Sequence, residues 1–156
     1  MRALYLSLDP AMRGWMADRR SYMPPVALGD VMRAVGVGRV VESSDPRLSP
    51  GDHVTGLLGV QDYAVLPAQD LIRVDPDLAP LPRFLGALGA SGMTAYFGLL
   101  DVGQAQAGET VLVSAAAGSV GSLVGQIACI RGCRAIGIAG GPEKCAYVRD
   151  ELGFDG

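Results

Sequence analysis

Residues 111–128, VLVSAAAGSVGSLVGQIA, combine the pattern of a buried strand with that of a helix. The stretch begins as a continuous apolar run, which is typical of a strand buried on both faces. The run then changes to alanine, serine and glycine before apolar residues resume at helical spacing. A strand that turns sharply into a helix leaves the first N–H groups of that helix without intrahelical acceptors. Small residues let a phosphate approach these groups, and the helix N-terminus carries about half a positive charge.

The turn partly follows the dinucleotide-binding fingerprint G-x-G-x-x-G. Residues 116–121, AAGSVG, have the second and third glycines and an alanine in place of the first. The pattern alone is weak, and a purely structural turn is the alternative. Its context strengthens it, because a strand precedes it, a helix follows, and a second apolar strand, CRAIGIA, comes at 133–139. We therefore predict a dinucleotide site at this turn.

The end of the second strand distinguishes between the two nicotinamide cofactors. An NAD site usually has Asp or Glu there, about 20 residues beyond the glycine turn, to bind the ribose 2′-hydroxyl. Here the strand ends in Ala139, Gly140 and Gly141, and Lys144 follows at the start of the next helix. An ammonium beside helical N–H groups suits a 2′-phosphate, so the sequence predicts NADPH. The alternatives are that Lys144 is simply solvated and that its neighbour Glu143 faces the site and repels a phosphate.

The two parts of the chain differ in their periodicity. Residues 1–80 contain short β-rich runs separated by Pro, Gly and Asp, which suggests a barrel or sandwich. The predicted strands are 2–8, 31–43, 53–58, 60–66 and 70–74, with a helical turn at 11–17. Residues 83–101 have helical spacing, and a βαβα order follows to residue 153, as in a parallel sheet. We place the domain boundary near residue 80.

Composition excludes several classes of function. Of the 156 residues 49% are hydrophobic, and the net charge is −3 with no basic run, so we expect no nucleic-acid or membrane partner. No apolar stretch approaches the roughly 20 residues of a membrane span, and we see no signal peptide, so we expect a cytoplasmic protein. We expect the three cysteines, Cys129, Cys133 and Cys145, to be buried and reduced rather than disulfide-bonded or metal-binding.

Several motifs resemble a known superfamily. LSLDPAMRG at 6–14, GMTAYFGL at 92–99 and AAAGSVGS at 115–122 are the most specific. They are similar to the zinc-free branch of the medium-chain dehydrogenase/reductase superfamily. That branch contains prostaglandin reductases, leukotriene B4 12-hydroxydehydrogenases and bacterial NADPH-dependent 2-alkenal or curcumin reductases. The resemblance covers nearly the whole chain.

The resemblance implies an α/β architecture. A GroES-like catalytic barrel that lacks its N-terminal strand would occupy residues 1–80. Linking helices and the first half of a Rossmann doubly wound parallel sheet would occupy residues 81–156. Because relatives extend beyond both ends, we expect a truncated chain that forms homo-oligomers or pairs with a complementary fragment, since open strand edges favour association.

The resemblance also implies an activity. Members of the branch reduce the C=C bond of α,β-unsaturated aldehydes or ketones by hydride transfer from NADPH to the β-carbon. We therefore expect an enone or enal as the small-molecule substrate. Two alternatives stay open: a truncated, non-catalytic dinucleotide-binding or assembly module, and a quinone reductase of the same superfamily.

Seven cofactor-binding residues follow from the resemblance. Met93 and Thr94 would lie near the nicotinamide. Ala117, Gly118 and Val120 would lie at the pyrophosphate, and Gly141 and Lys144 at the adenosine 2′-phosphate. For Thr94 a helix N-cap hydroxyl is the alternative. No residue is assigned as the catalytic proton donor.

The resemblance implies no metal. Zinc-dependent relatives carry a Cys and a Gly-His-Glu motif where this chain has SLDPAMRG and LGDVMRAVG. The single histidine, His53, is expected to be a half-exposed strand residue. Ala11 stands where many relatives have an aromatic residue that faces the substrate.

Overall fold

A computed structural model describes all 156 residues. The chain forms two compact units, Met1–Leu85 and Gly86–Gly156. No helix in either unit combines the length and apolarity needed to cross a bilayer.

The first unit is built on one antiparallel sheet. Its four strands are β1 (Arg2–Leu6), β2 (Gly36–Arg39), β3 (His53–Gly56) and β4 (Ile72–Val74). They pair in the order β1-β2-β3-β4. Helix α1 (Pro10–Trp15) follows β1, and two short 3₁₀ turns span Ala68–Asp70 and Leu81–Leu85. A small core of Val40, Leu48 and Val54 packs against the sheet.

This sheet is open, whereas the sequence pattern predicted a barrel or sandwich of more and longer strands and the resemblance implied an incomplete GroES-like barrel. The predicted strand 60–66 contributes a single bridge, between Tyr63 and Arg2. A tight turn interrupts it, in which the Gln61 N–H donates to the Gly59 carbonyl at 3.0 Å. Gly59 has φ +74°, a left-handed conformation that does not continue a ladder. Val60, Tyr63 and Val65 in this segment are exposed, so its apolar pattern corresponds neither to a regular strand nor to a buried core.

The second unit has the predicted βαβα order. Strands β5 (Thr110–Val113) and β6 (Arg134–Gly137) are parallel, and α3 (Ser119–Ile130) connects them. Helix α2 (Ala90–Tyr96) precedes β5 and continues as a π-helical turn, Phe97–Val102. Helix α4 (Pro142–Ala146) follows β6 and also becomes π-helical, at Tyr147–Glu151.

The C-terminal residues complete the core of the second unit. Phe154 is buried among side chains from β5, α3 and β6. A Cβ on Gly125 of α3 would overlap the Phe154 ring, so glycine lets the helix lie against it. The Asp155 N–H donates to the Ala135 carbonyl at 2.8 Å, and the Gly137 N–H donates to Gly156 at 2.7 Å. This segment therefore covers the outer edge of β6.

The three cysteines are free and differ in exposure. Cys133 is buried and Cys129 is partly buried, whereas Cys145 is exposed on α4. The prediction that all three are buried is wrong for Cys145, since α4 presents that residue to solvent. Burial raises the pKa of the Cys129 thiol, which keeps it protonated.

Candidate functional site: the turn between β5 and α3

The turn after β5 is fixed by backbone hydrogen bonds. Ala115 has φ +50°, and the Ala116 N–H donates to the Ile138 carbonyl at 3.0 Å, which joins the turn to the end of β6. The Gly118 N–H donates to the Ala115 carbonyl at 2.8 Å, and Gly118 then caps α3 in an extended conformation. The chain thus reverses within five residues and starts the helix at the carboxyl end of the sheet.

The first N–H groups of α3 are available to a ligand. Those of Ser119, Val120 and Gly121 have no acceptor within the protein, and no side chain caps the helix. A Cβ on Gly121 would overlap the Ala115 carbonyl oxygen, so the tight turn requires glycine there. Unpaired amides together with the helix dipole form an anion-binding site.

A cavity connects this turn with α4. It measures about 560 Å³, and Ala117, Lys144 and Tyr147 contribute to its lining. The structure therefore brings together one predicted pyrophosphate residue, Ala117, and one of the two predicted 2′-phosphate residues, Lys144. Gly141 caps α4 with φ +92°, a conformation that side chains disfavour.

The charges around this cavity are mixed. Three carboxylates also line it, from Glu143, Asp150 and Glu151, whereas the ammonium of Lys144 has no carboxylate within ion-pair distance. Asp150 accepts from the Arg149 guanidinium at 2.6 Å, and this hydrogen bond lowers the pKa of the Asp150 carboxyl. Lys144 is thus the one cation lining the cavity that is available to an anionic ligand.

The two predicted nicotinamide residues lie elsewhere in the second unit. Met93 and Thr94 are on α2 and do not line the cavity around Lys144. The Thr94 hydroxyl donates to the Ala90 carbonyl at 2.7 Å, so the N-cap interpretation of Thr94 is wrong; the N-cap is Gly89. Helix α2 nevertheless packs on α3, with the Ser91 and Ser119 hydroxyls 2.7 Å apart.

The residues fit NADPH on geometric grounds. The α3 amides suit its pyrophosphate, and Lys144 with no carboxylate at residues 139–141 suits a 2′-phosphate. Tyr147 also lines the cavity and was not predicted, although its position three residues after Lys144 places both side chains on one helical face. No cluster of three or more His, Cys, Asp or Glu side chains suits a metal ion, and His53 lies half-buried in β3.

Comparisons with known proteins agree with this fold. Residues 1–74 match the family described as the N-terminal domain of oxidoreductase. The chain is 50% identical over 155 residues to the NADPH-dependent curcumin reductase of Escherichia coli. It is 43% identical to the NADP⁺-dependent 2-alkenal reductase of Nicotiana tabacum and 45% identical to prostaglandin reductase 1 of Mus musculus. Each match covers 99% of this chain but only 45–46% of the relative.

A solved structure has a similar fold over nearly the whole chain. The complex of CurA from Vibrio vulnificus with NADPH superposes with a TM-score of 0.88 at 45% identity, covering 99% of this chain and 46% of that one. The chain thus spans slightly under half the length of the proteins that it matches. Along nearly its whole length the chain is thus similar to the N-terminal part of curcumin, 2-alkenal and prostaglandin reductases.

Proposed function

We propose that the protein is an NADPH-dependent oxidoreductase that reduces the C=C bond of α,β-unsaturated aldehydes or ketones. The observation that carries this proposal is the set of unpaired α3 amides beside a cavity lined by Lys144. The named activities of its relatives supply the reaction class. The 50% identity to the curcumin reductase extends over 99% of the chain, which favours this function over a non-catalytic module.

The two units have different roles in this proposal. Residues 1–80 correspond to the GroES-like catalytic part, and residues 81–156 to the linking helices and the first half of a Rossmann domain. The switch from an antiparallel sheet to a parallel βαβα unit supports this division.

The residues of the second unit would bind and orient the cofactor. Ala117, Gly118 and Val120 would contact the pyrophosphate through the backbone, because the turn contains no side chain larger than a methyl before α3 except Ser114. Gly141 and Lys144 would bind the 2′-phosphate. Met93 and Thr94 would lie toward the nicotinamide.

NADPH bound by these residues would supply the hydride that the β-carbon of the substrate needs, and NADP⁺ would be left. The substrate enolate then takes one proton at its α-carbon, which gives the saturated carbonyl compound. The chain's contribution is to hold both partners in contact and to stabilise the enolate oxygen. No side chain is assigned to proton delivery.

Consumption of NADPH tests the activity. Loss of absorbance at 340 nm is followed with a 2-alkenal, with curcumin and with a quinone, each against NADPH and NADH. We expect oxidation of NADPH with the first two substrates. NADPH binding without consumption would instead support the non-catalytic module, and turnover of the quinone alone would support a quinone reductase.

We also propose that the chain acts in the cytoplasm and self-associates or pairs with a complementary fragment. β5 pairs with β6 only, so its other edge is open, and Leu112 on β5 is 65% exposed. An open edge with an exposed apolar residue favours association. Size-exclusion chromatography with light scattering checks association; a stable monomer at low concentration would contradict it.

A further inference from the structure

Four side chains form one row across the sheet of the first unit. Arg2 on β1 is directly opposite Arg39 on β2, and Arg39 is directly opposite His53 on β3. On the other side of β1, Arg2 forms an antiparallel bridge with Tyr63. Residues that are directly opposite in an antiparallel sheet share a face, with Cβ atoms about 5 Å apart. One face of the sheet therefore carries two guanidinium groups side by side, with an imidazole at one end of the row and a phenol at the other.

The two guanidinium groups have no partner within the protein. Arg2 and Arg39 are exposed, and neither side chain forms an ion pair or a hydrogen bond. Like charges directly opposite each other destabilise a sheet. An anion bound between Arg2 and Arg39 would replace this repulsion by attraction.

The nearby carboxylates lie on the other face of the sheet. Side chains alternate between the two faces along a strand, so Asp52, which precedes His53, points away from the row. Asp52 forms an ion pair instead with Arg73 on that other face, at 3.1 Å. The same alternation turns Asp62 away from Tyr63. The next row on the face of the two arginines is uncharged, and it consists of Tyr5, Val37 and Thr55.

A phosphate group suits two neighbouring guanidinium groups better than a carboxylate does. Each guanidinium can donate two parallel N–H bonds, and the three terminal oxygens of a phosphate monoester can accept from both groups at once. A carboxylate offers only two oxygens. His53 adds a ring N–H donor in either charge state of the imidazole.

Tyr63 extends the row with an aromatic surface. Its side chain is 63% exposed and lies beside Arg2, so an aromatic group next to a bound phosphate could stack on its ring. We propose that this row binds a phosphate monoester that carries an aromatic group. The phosphate lies between Arg2 and Arg39, and the aromatic group lies on Tyr63.

The single histidine of the chain gives a local readout. The ring C–H signals of His53 are followed by proton NMR at a fixed pH of about 7.5, where a phosphate monoester carries nearly two negative charges. The protein is titrated with phenyl phosphate, and in parallel with inorganic phosphate and with phenol at matched ionic strength. We expect saturable shifts with phenyl phosphate, weaker binding of inorganic phosphate, which lacks the ring, and no shift with phenol.

Substitutions separate the contributions of the row. Arg39→Ala should weaken phenyl phosphate binding about tenfold, as expected for the loss of a charge-assisted hydrogen bond. Arg39→Lys should lie between, since lysine keeps the charge but not the paired donors. Tyr63→Leu should reduce the affinity for phenyl phosphate to that for inorganic phosphate and leave the latter unchanged. Arg20→Ala is the matched control, because Arg20 is an exposed arginine outside the sheet, and it should bind as the unchanged protein does.

The thermal unfolding of Arg39→Ala without ligand should be unchanged or shifted to higher temperature, because the substitution removes a repulsion. No saturable shift of the His53 signals up to about 10 mM phenyl phosphate would overturn the proposal. Equal affinities of Arg39→Ala and the unchanged protein would also overturn it. So would shifts with a single-stranded oligonucleotide but not with phenyl phosphate, which would indicate a nucleic-acid surface. None of these readouts needs NADPH, so the proposed reductase function can fail without affecting the result.

Discussion

Replacing Lys144 by alanine should separate NADPH binding from NADH binding. Lys144 lines the cavity beside the turn, and its ammonium has no carboxylate partner. A hydrogen bond to a charged group contributes about 1.5–3 kcal/mol, and exposure of this side chain favours the lower end. A loss of about 1.5 kcal/mol corresponds to about tenfold weaker NADPH binding. NADH has no 2′-phosphate, so its affinity should hardly change.

Cofactor fluorescence in titrations with each nucleotide measures both affinities. Lys144→Arg keeps the positive charge and should preserve most of the preference for NADPH. Glu143→Gln removes a carboxylate from the same cavity and should tighten NADPH binding. Raising the salt concentration should weaken NADPH binding in the unchanged protein more than in Lys144→Ala, because the lost contact is electrostatic. Equal losses for NADPH and NADH would refute the placement of the 2′-phosphate.

Three further substitutions test the turn, the core and a surface ion pair. Gly121→Ala puts a Cβ against the backbone, so it should cost about 1–3 kcal/mol of stability and weaken the binding of both NADPH and NADH. In the control variant Gly140→Ala the added Cβ meets open space, so stability and binding should stay unchanged. Phe154→Ala should lower the free energy of unfolding, measured with urea, by about 3–5 kcal/mol, because Phe154 is buried. Phe97→Ala removes an exposed ring and should lower it far less. Asp45 has its pKa lowered to about 2 by the arginine two residues on, so Asp45→Asn should reduce stability slightly at neutral pH. The difference in stability between the unchanged protein and Asp45→Asn should vanish as the pH falls from about 3.8 to about 2. NMR titration of the Asp45 carboxyl can follow its protonation over this range.

The second unit could be predicted well because its signals are local. A buried strand, a glycine turn and an apolar helix follow one another within residues 111–128, and each has its own sequence pattern. The meeting of Ala117 with Lys144 follows from the same topology, because the carboxyl ends of parallel strands lie at one edge. Tyr147 also lines the cavity but was not predicted, because no motif marks it and its position follows only from the helical spacing to Lys144.

The first unit was predicted less well because strand pairing depends on distant residues. The segment at 60–66 has the alternation of a strand, but the turn at Gly59 leaves one bridge, at Tyr63. Sequence patterns also gave no indication that Trp15 would be buried without an acceptor, because that depends on how the loop at 17–26 folds over it. The Val26 N–H donates to the Trp15 carbonyl at 2.8 Å, a contact that no spacing rule predicts.

The most direct test of cofactor binding at the β5–α3 turn is backbone amide NMR of the chain during nucleotide titration. NADPH and NADH should both shift the signals of Ser119, Val120 and Gly121, whose N–H groups lack acceptors. NADPH alone should in addition shift the signals of Gly141 and Lys144. If both nucleotides left the amides of residues 117–121 unchanged while shifting others, the pyrophosphate would bind elsewhere and the proposed site would be wrong.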